Sequence, residues 1–290
     1  MSRRAVVAKT YKLYLGGKFA RSESGRSDPA TDHAGDHVGN IPRSSRKDVR
    51  DAVKAARGAQ AGWAARTAYN RGQVLYRFAE ALESRSDELA RAAVAQQDVA
   101  LAAAREELGA AVDCLVHYAG WTDKLAAVMG GINPVAAPYL SFSVPEPTGV
   151  VAVLAPDEPD LLGLVREVAP ALAAGNTVVA IVSRAWPLRA LDLGEVAAVS
   201  DVPAGALNLL SGRIDELLAP LCGHRDVNAI VDASGVAAHA EPIDVLASET
   251  VKRVSRPPVD GVGAGAIDAH ALTRLEALTE LKTAWHPVGS

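Results

Sequence analysis

The chain has 290 residues, 49% of them hydrophobic and 22% charged, with a formal net charge of −4. Such a composition supports one large or two small globular domains whose core needs neither disulfides nor metals. It excludes nucleic acid as an obligatory partner, because neutralising phosphates takes a basic surface. No apolar run approaches the roughly 20 residues of a membrane helix. Arg3-Arg4 precedes too short an apolar stretch for a signal-peptide core. A soluble, cytoplasmic chain that makes no membrane contact is therefore expected.

From the start, Tyr11 to Leu15 alternates apolar and polar residues, and Gly16-Gly17 then turns the chain back through Lys18-Phe19, a hairpin signal. Residues 22–38, rich in Gly, Asp and Ser, read as loop, and His33 and His37 within it as solvated histidines. Ser45 with Asp48 three residues on resembles a capping box. Behind it, Val49, Ala52, Val53, Ala56, Ala59 and Trp63 recur at helical spacing. Val74, Leu75, Phe78 and Leu82 give a second apolar helix face, and Leu101 through Tyr118 a third.

At residue 136 the texture changes. Residues 137–144 alternate Tyr139, Ser141 and Ser143 against Leu140, Phe142 and Val144, between Pro138 and Pro145. Flanking prolines suit an edge or projecting strand. Next come an apolar run at 150–154, a helix over 161–173 stopped by Gly175-Asn176, a strand at 178–182, a helix over 188–199, a strand at 206–210, a helix over 214–221 and a short strand at 229–231. This alternation implies a parallel, doubly wound sheet of the α/β class. Residues 243–247 leave open whether they join it. Pro257-Pro258 and the Gly-rich 260–268 read as linker; Gly261, Gly263 and Gly265 follow no strand and lack the spacing of a dinucleotide fingerprint. A short helix over 272–281 and a strand-like 282–288 end the chain.

Several motifs in order carry a resemblance. Tyr14-Leu15-Gly16-Gly17, Asp28-Pro29-Ala30-Thr31, Ile41-Pro42-Arg43 and Tyr118-Ala119-Gly120-Trp121 come first. Pro145, Pro147, Gly149-Val150-Val151, Val153-Leu154-Ala155-Pro156 and Ala169 to Val179 follow, and then Pro203, Gly205 and Leu207-Asn208. Together they resemble the aldehyde dehydrogenase superfamily over residues 11–232 and again from 272 to 289. The chain is most similar to a shortened form of the noncatalytic second half of tandem aldehyde dehydrogenases. That resemblance implies the family's NAD-binding-domain fold with projecting oligomerisation strands and no catalytic domain. The parts would be an N-terminal hairpin and helical part at 11–136, a projecting strand at 137–148, a Rossmann-like part at 149–256, a linker at 257–268, and a C-terminal helix and strand at 269–290.

Aldehyde oxidation in this family needs a cysteine nucleophile, an amide for the oxyanion, a carboxylate base and a held nicotinamide. The family's amide position matches Glu158, whose charge would repel an oxyanion. The turn that would hold the adenosine ribose reads Ile181-Val182-Ser183-Arg184, without the lysine and glutamate handles. The turn nearest the pyrophosphate reads Asp232-Ala233-Ser234-Gly235, with a carboxylate toward the phosphates. The base and nucleophile segments have no counterpart. Cys114 and Cys222 read as buried thiols, and Asp157, Glu158 and Asp160 as a solvated acidic loop. Catalytic, cofactor-binding and metal residues are therefore all expected to be absent, and no cofactor is expected, although the family uses NAD or NADP.

What remains are strand segments with aromatics suited to interfaces: Tyr139, Leu140 and Phe142 in one, Leu281 and Trp285 in the other. Intramolecular core is the plainer reading of both. The leading expectation is a noncatalytic subunit that forms a hetero-oligomer with a catalytic aldehyde dehydrogenase subunit, or a homo-oligomer. The alternatives are a residual NAD(P)-binding oxidoreductase acting on aldehydes and a decayed gene product without a selected role.

Overall fold

The structure is a computed structural model that describes residues 9–258 and 272–288. The chain opens with the hairpin β1 (Leu13–Leu15) and β2 (Lys18–Ala20), joined through Gly16 and Gly17. Both glycines have positive φ, 57° and 76°, as a two-residue hairpin turn requires. Next come β3 (Ser27–Thr31) and β4 (His37–Pro42), an antiparallel pair. Residues 22–38 are thus not all loop. Within β3 only Ala30 is buried, so the segment carries no apolar alternation to betray it.

Four long helices follow: α1 (Arg46–Ala64), α2 (Ala68–Glu83), α3 (Ser86–Gln97) and α4 (Leu101–Trp121), then the short α5 (Leu125–Met129). The capping box at α1 is real. Ser45 Oγ accepts the Lys47 and Asp48 N–H groups, and Asp48 Oδ2 accepts the Ser45 N–H at 2.8 Å. The sequence pattern passes over α3, whose buried face holds one large apolar residue, Leu89, beside Ala90, Ala93 and Gln96. Beyond it lie β5 (Gly131–Asn133) and β6 (Tyr139–Pro147).

The α/β part then runs β7 (Val150–Leu154), α6 (Asp160–Ala173), β8 (Thr177–Ile181), α7 (Pro187–Ala198), β9 (Leu207–Leu210), α8 (Ile214–Cys222), β10 (Ala229–Asp232), α9 (Ala240–Ser248) and β11 (Arg253–Ser255). The main sheet has the order β11-β10-β7-β8-β9-β1-β2. Its first five strands are parallel, and the β1–β2 hairpin closes one side antiparallel. Residues 243–247 do not join the sheet; they lie in α9, and β11 forms the edge.

Helices cover both faces. Val150, Ala152 and Leu154 of β7 pack with residues of α1, α8 and α9, while Val151 and Val153 pack into the cluster that includes α2, α4, α6 and α7. Burial on both faces is why β7 and β8 read as unbroken apolar runs.

A helix over 272–277 leads into β12 (Thr279–Pro287). The expected helix over 272–281 is therefore shorter and the strand begins earlier. β12 pairs antiparallel with β6 along its whole length, and β5 pairs on the other side of β6. Asn176 ties this second sheet to the first: its Oδ1 accepts the Gly149 N–H at 2.8 Å and its Nδ2 donates to Leu278 O at 2.9 Å. Residues 256–278 separate β11 from the start of β12, too little chain for a further domain of about 50 residues or more. The linker expected over 257–268 lies outside the described residues from 259 onward. Among the described residues no helix is long and apolar enough to cross a membrane.

Candidate functional site

In an open α/β sheet, ligands bind outside the carboxyl ends of the strands, where the strand order reverses. Here that point lies between β7 and β10, neighbours in the sheet although β8 and β9 intervene in sequence. The chain leaves β7 through Asp157, Glu158 and Asp160, and leaves β10 at Asp232.

The three acids are not one solvated loop. Asp157 is exposed, and its Oδ1 accepts the Ser183 hydroxyl at 2.9 Å and the N–H groups of Arg184 and Ala185 at 2.8 and 3.1 Å. It thereby caps the turn between β8 and α7. Glu158 Oε1 accepts the Trp186 indole N–H at 3.3 Å. Asp160 departs from the expectation altogether: it is 1% exposed and bound by Arg189, whose side chain has no exposed surface. Arg189 also donates to Glu107 at 2.7 Å, and Gln97 Nε2 donates to Asp160 at 3.0 Å. Burial pushes the Asp160 carboxyl up. Burial opposes charge on Arg189 too, but its two carboxylates outweigh that and hold its proton more firmly. Nothing in the sequence pattern near Asp160 points to Arg189 or Glu107, because the partners come from other helices.

On the β10 side, Asp232 Oδ1 accepts the Ser234 hydroxyl at 2.6 Å and the Ser234 N–H at 3.2 Å. Ser234 Oγ also lies 3.1 Å from His239 Nδ1, and His239 Nε2 lies 3.5 Å from Asp215 Oδ1. The group has the members of a Ser–His–Asp relay, which the sequence reading missed. Its hydroxyl proton is directed at the closer Asp232 oxygen, so the imidazole is not placed to activate Ser234 as a nucleophile.

These residues do not fit a dinucleotide. The N–H groups that the turn after β8 would offer an anion are taken by Asp157, and that of Ser234 is taken by Asp232. Asp157 and Glu158 add negative charge near where a pyrophosphate would lie, and Asp232 faces Arg256 at 3.8 Å. Ile181 is buried in the core on the α1 side of the sheet. Among the described residues, no group of three or more His, Cys, Asp or Glu is placed to hold a metal ion.

Both thiols lie in the hydrophobic core, Cys114 packed in one cluster and Cys222 in the other. Burial pushes each up to about 12. Near pH 7 the reactive thiolate is then about 10⁻⁵ of the population.

The five residues expected to carry an interface all fall in the β12-β6-β5 sheet, but on two faces. The register pairs Ser141 with Trp285 and Pro145 with Leu281, so Tyr139, Leu281 and Trp285 share one face. The Tyr139 and Trp285 rings meet edge to face with centroids 6.0 Å apart. Leu140 and Phe142 occupy the opposite face beside Ile132 of β5, which the sequence reading did not single out. The strands pair with each other, yet their side chains stay uncovered: Leu281 is 56% exposed, Trp285 60% and Ile132 76%. β12 is also an edge strand, bonded on one side only among the described residues.

Comparison with known proteins follows the same pattern. The model of the aldehyde dehydrogenase family matches residues 19–256. The chain is 35% identical over 221 residues to hydroxyisobutyraldehyde dehydrogenase of Mycolicibacterium austroafricanum, a match covering 75% of this chain and 43% of that protein. Among solved structures it resembles 3,6-anhydro-L-galactose dehydrogenase in complex with NAP, with a TM-score of 0.80 and 27% identity, covering 85% of this chain and 51% of that one. It resembles equally the NAD+ complex of aldehyde dehydrogenase from Bacillus cereus, with a TM-score of 0.80 and 26% identity, covering 85% and 50%. The chain thus spans about half the length of the relatives it matches. A parallel sheet wound on both faces, a strand pair tied back to it, and a family match across most of the sequence lead to one conclusion: this chain belongs to the aldehyde dehydrogenase family.

Proposed function

We propose that this chain is a noncatalytic member of the family that assembles with a full-length, active aldehyde dehydrogenase through the β12-β6-β5 sheet. The observation that carries the reading is the state of that sheet: a nine-residue strand pair is kept in full register while Trp285 and Leu281 stay more than half exposed on an open edge. Large aromatics left in water on an edge strand suit a surface that another chain covers. The chemistry points the same way. Neither thiol can serve as a nucleophile while buried with its proton held so firmly, Glu158 stands where an oxyanion donor would be needed, and the turns that would hold NAD or NADP are capped by Asp157 and Asp232. In this reading the chain contributes shape and contact, and its partner contributes turnover.

The test is co-purification and sedimentation of the full chain with the family dehydrogenases of its own organism, compared with the Leu281→Asp, Trp285→Asp double variant. A mixed species that the double variant abolishes is the expected result. Separate elution, with the dehydrogenase's activity unchanged by the added chain, overturns it. Production of NADH from an aldehyde by the isolated chain would instead favour a residual oxidoreductase.

A further inference from the structure

A cleft of about 890 Å³ opens between the start of α1 and the C-terminal ends of α8 and α9. It shares no residue with the Asp157–Asp232 crevice. One wall carries the cations Arg26, Arg46, Lys47 and Arg50 with Glu23; the other carries the apolar Pro220 and Leu246 with Glu249. Lys47 and Arg50 share one carboxylate, Asp51, at 2.9 and 3.6 Å. Arg26 and Arg46 form no ion pair among the described residues. Of the two lining carboxylates, Glu23 already accepts the Ser45 hydroxyl at 3.0 Å. Positive charge therefore gathers around one cavity of a chain whose net charge is −4. Four cations thus face two carboxylates, Glu23 and Glu249, around the cavity, an excess of positive charge that an anion would offset.

We infer that this cleft binds an organic phosphate, its charged end among Arg26, Arg46 and Arg50 and its apolar body against Pro220 and Leu246. Guanidinium forks match phosphate oxygens in pairs, which an ammonium does not. The cavity lies in the range of about 300–1,000 Å³ usual for small-molecule sites. His224 also lines it. Its Nδ1 accepts the Asp226 N–H at 3.1 Å, which leaves Nε2 as the donor of the neutral ring. The site is independent of the assembly role above, so either can fail without the other.

Calorimetry of the full chain with ADP and with inorganic pyrophosphate, at low and high salt, tests the assignment. ADP is expected to bind, more tightly than pyrophosphate and more weakly as salt rises. The Arg46→Ala, Arg50→Ala double variant, on an exposed helix surface and checked for an unchanged melting curve, is expected to weaken ADP by about 10-fold or more. Arg184→Ala, outside this cleft, is expected to leave it unchanged. Absence of heat from both probes overturns the inference. So does ADP binding that survives in the double variant, or that is lost in Arg184→Ala instead. Equal affinity for pyrophosphate and ADP overturns the role given to Pro220 and Leu246.

Discussion

Arg189 reaches from α7 to Glu107 of α4, Nη2 to Oε2 at 2.7 Å, inside a core where the guanidinium has no exposed surface. The same nitrogen donates to Asp160 at the first position of α6. Three helices on one face of the sheet are thus joined by one buried cation, with Nη1 left without a partner among the described residues. Replacing Arg189 with Met leaves two carboxylates buried without their counter-charge. Urea denaturation of Arg189→Met is expected to show a loss of about 3–5 kcal/mol, and adding Asp160→Asn and Glu107→Gln to recover much of it. A loss no larger than that of a surface substitution would refute the role given to this contact.

Thiol accessibility gives a second check. Cys114 and Cys222 are the only two cysteines and both are buried. An aromatic disulfide reagent is expected to label neither in the native chain over minutes and both in denaturant. Rapid labelling of Cys222 under native conditions would remove the argument from thiol burial.

Asp157 carries a third. Its carboxylate caps the turn before α7 with one hydroxyl and two N–H donors. Asp157→Ala is expected to cost about 1 kcal/mol in stability, in the range of a lost helix cap. Fluorescence titration with NADH of the Arg46→Ala, Arg50→Ala chain, in which the cleft beside α1 is disabled, is expected to show no saturable change. A saturable rise at micromolar NADH would show that the turn opens to the cofactor despite its cap.

Stability is also expected to depend on pH through His224. Burial holds its pKa below the ordinary 6.5, with Lys252 and Arg57 adding to the effect and Asp226 opposing it. A depressed folded pKa means that the unfolded chain takes up the proton first as pH falls. The stabilisation is therefore complete above about pH 6.5 and is lost on acidification through the folded pKa. Solvent screening of this part-exposed ring keeps the change small. His224→Gln is expected to flatten the thermal-melt profile on acidification below about pH 6.5. An unaltered slope in the variant would assign that dependence elsewhere.

Much of the parallel sheet was legible because its strands are buried on both faces. Val150 to Leu154 has no exposed position to interrupt the run. The α1 boundary was legible because the capping box is local, Ser45 and Asp48 being three residues apart. β3 was not, since strand pairing there rests on backbone bonds with little burial. Nor was α3, which gives the main core only Leu89 and packs Ala90 and Ala93 against Ala104 in a small separate cluster. The fate of Asp160 was hidden for a different reason. A carboxylate in a loop and one in a core look alike in sequence; Arg189 and Glu107 decide between them from distant positions. The candidate site was legible in what it lacks and illegible in what replaced it, because Asp157 and Asp232 bind groups brought near them only by folding.

Asn176 has a consequence for geometry. By holding Gly149 and Leu278 at once, it bonds the residue just before β7 to the residue just before β12. One buried amide thus reaches both segments, beside the Thr148 N–H bond to Leu278 O at 3.3 Å, and its loss would leave the Gly149 N–H without a partner among the described residues.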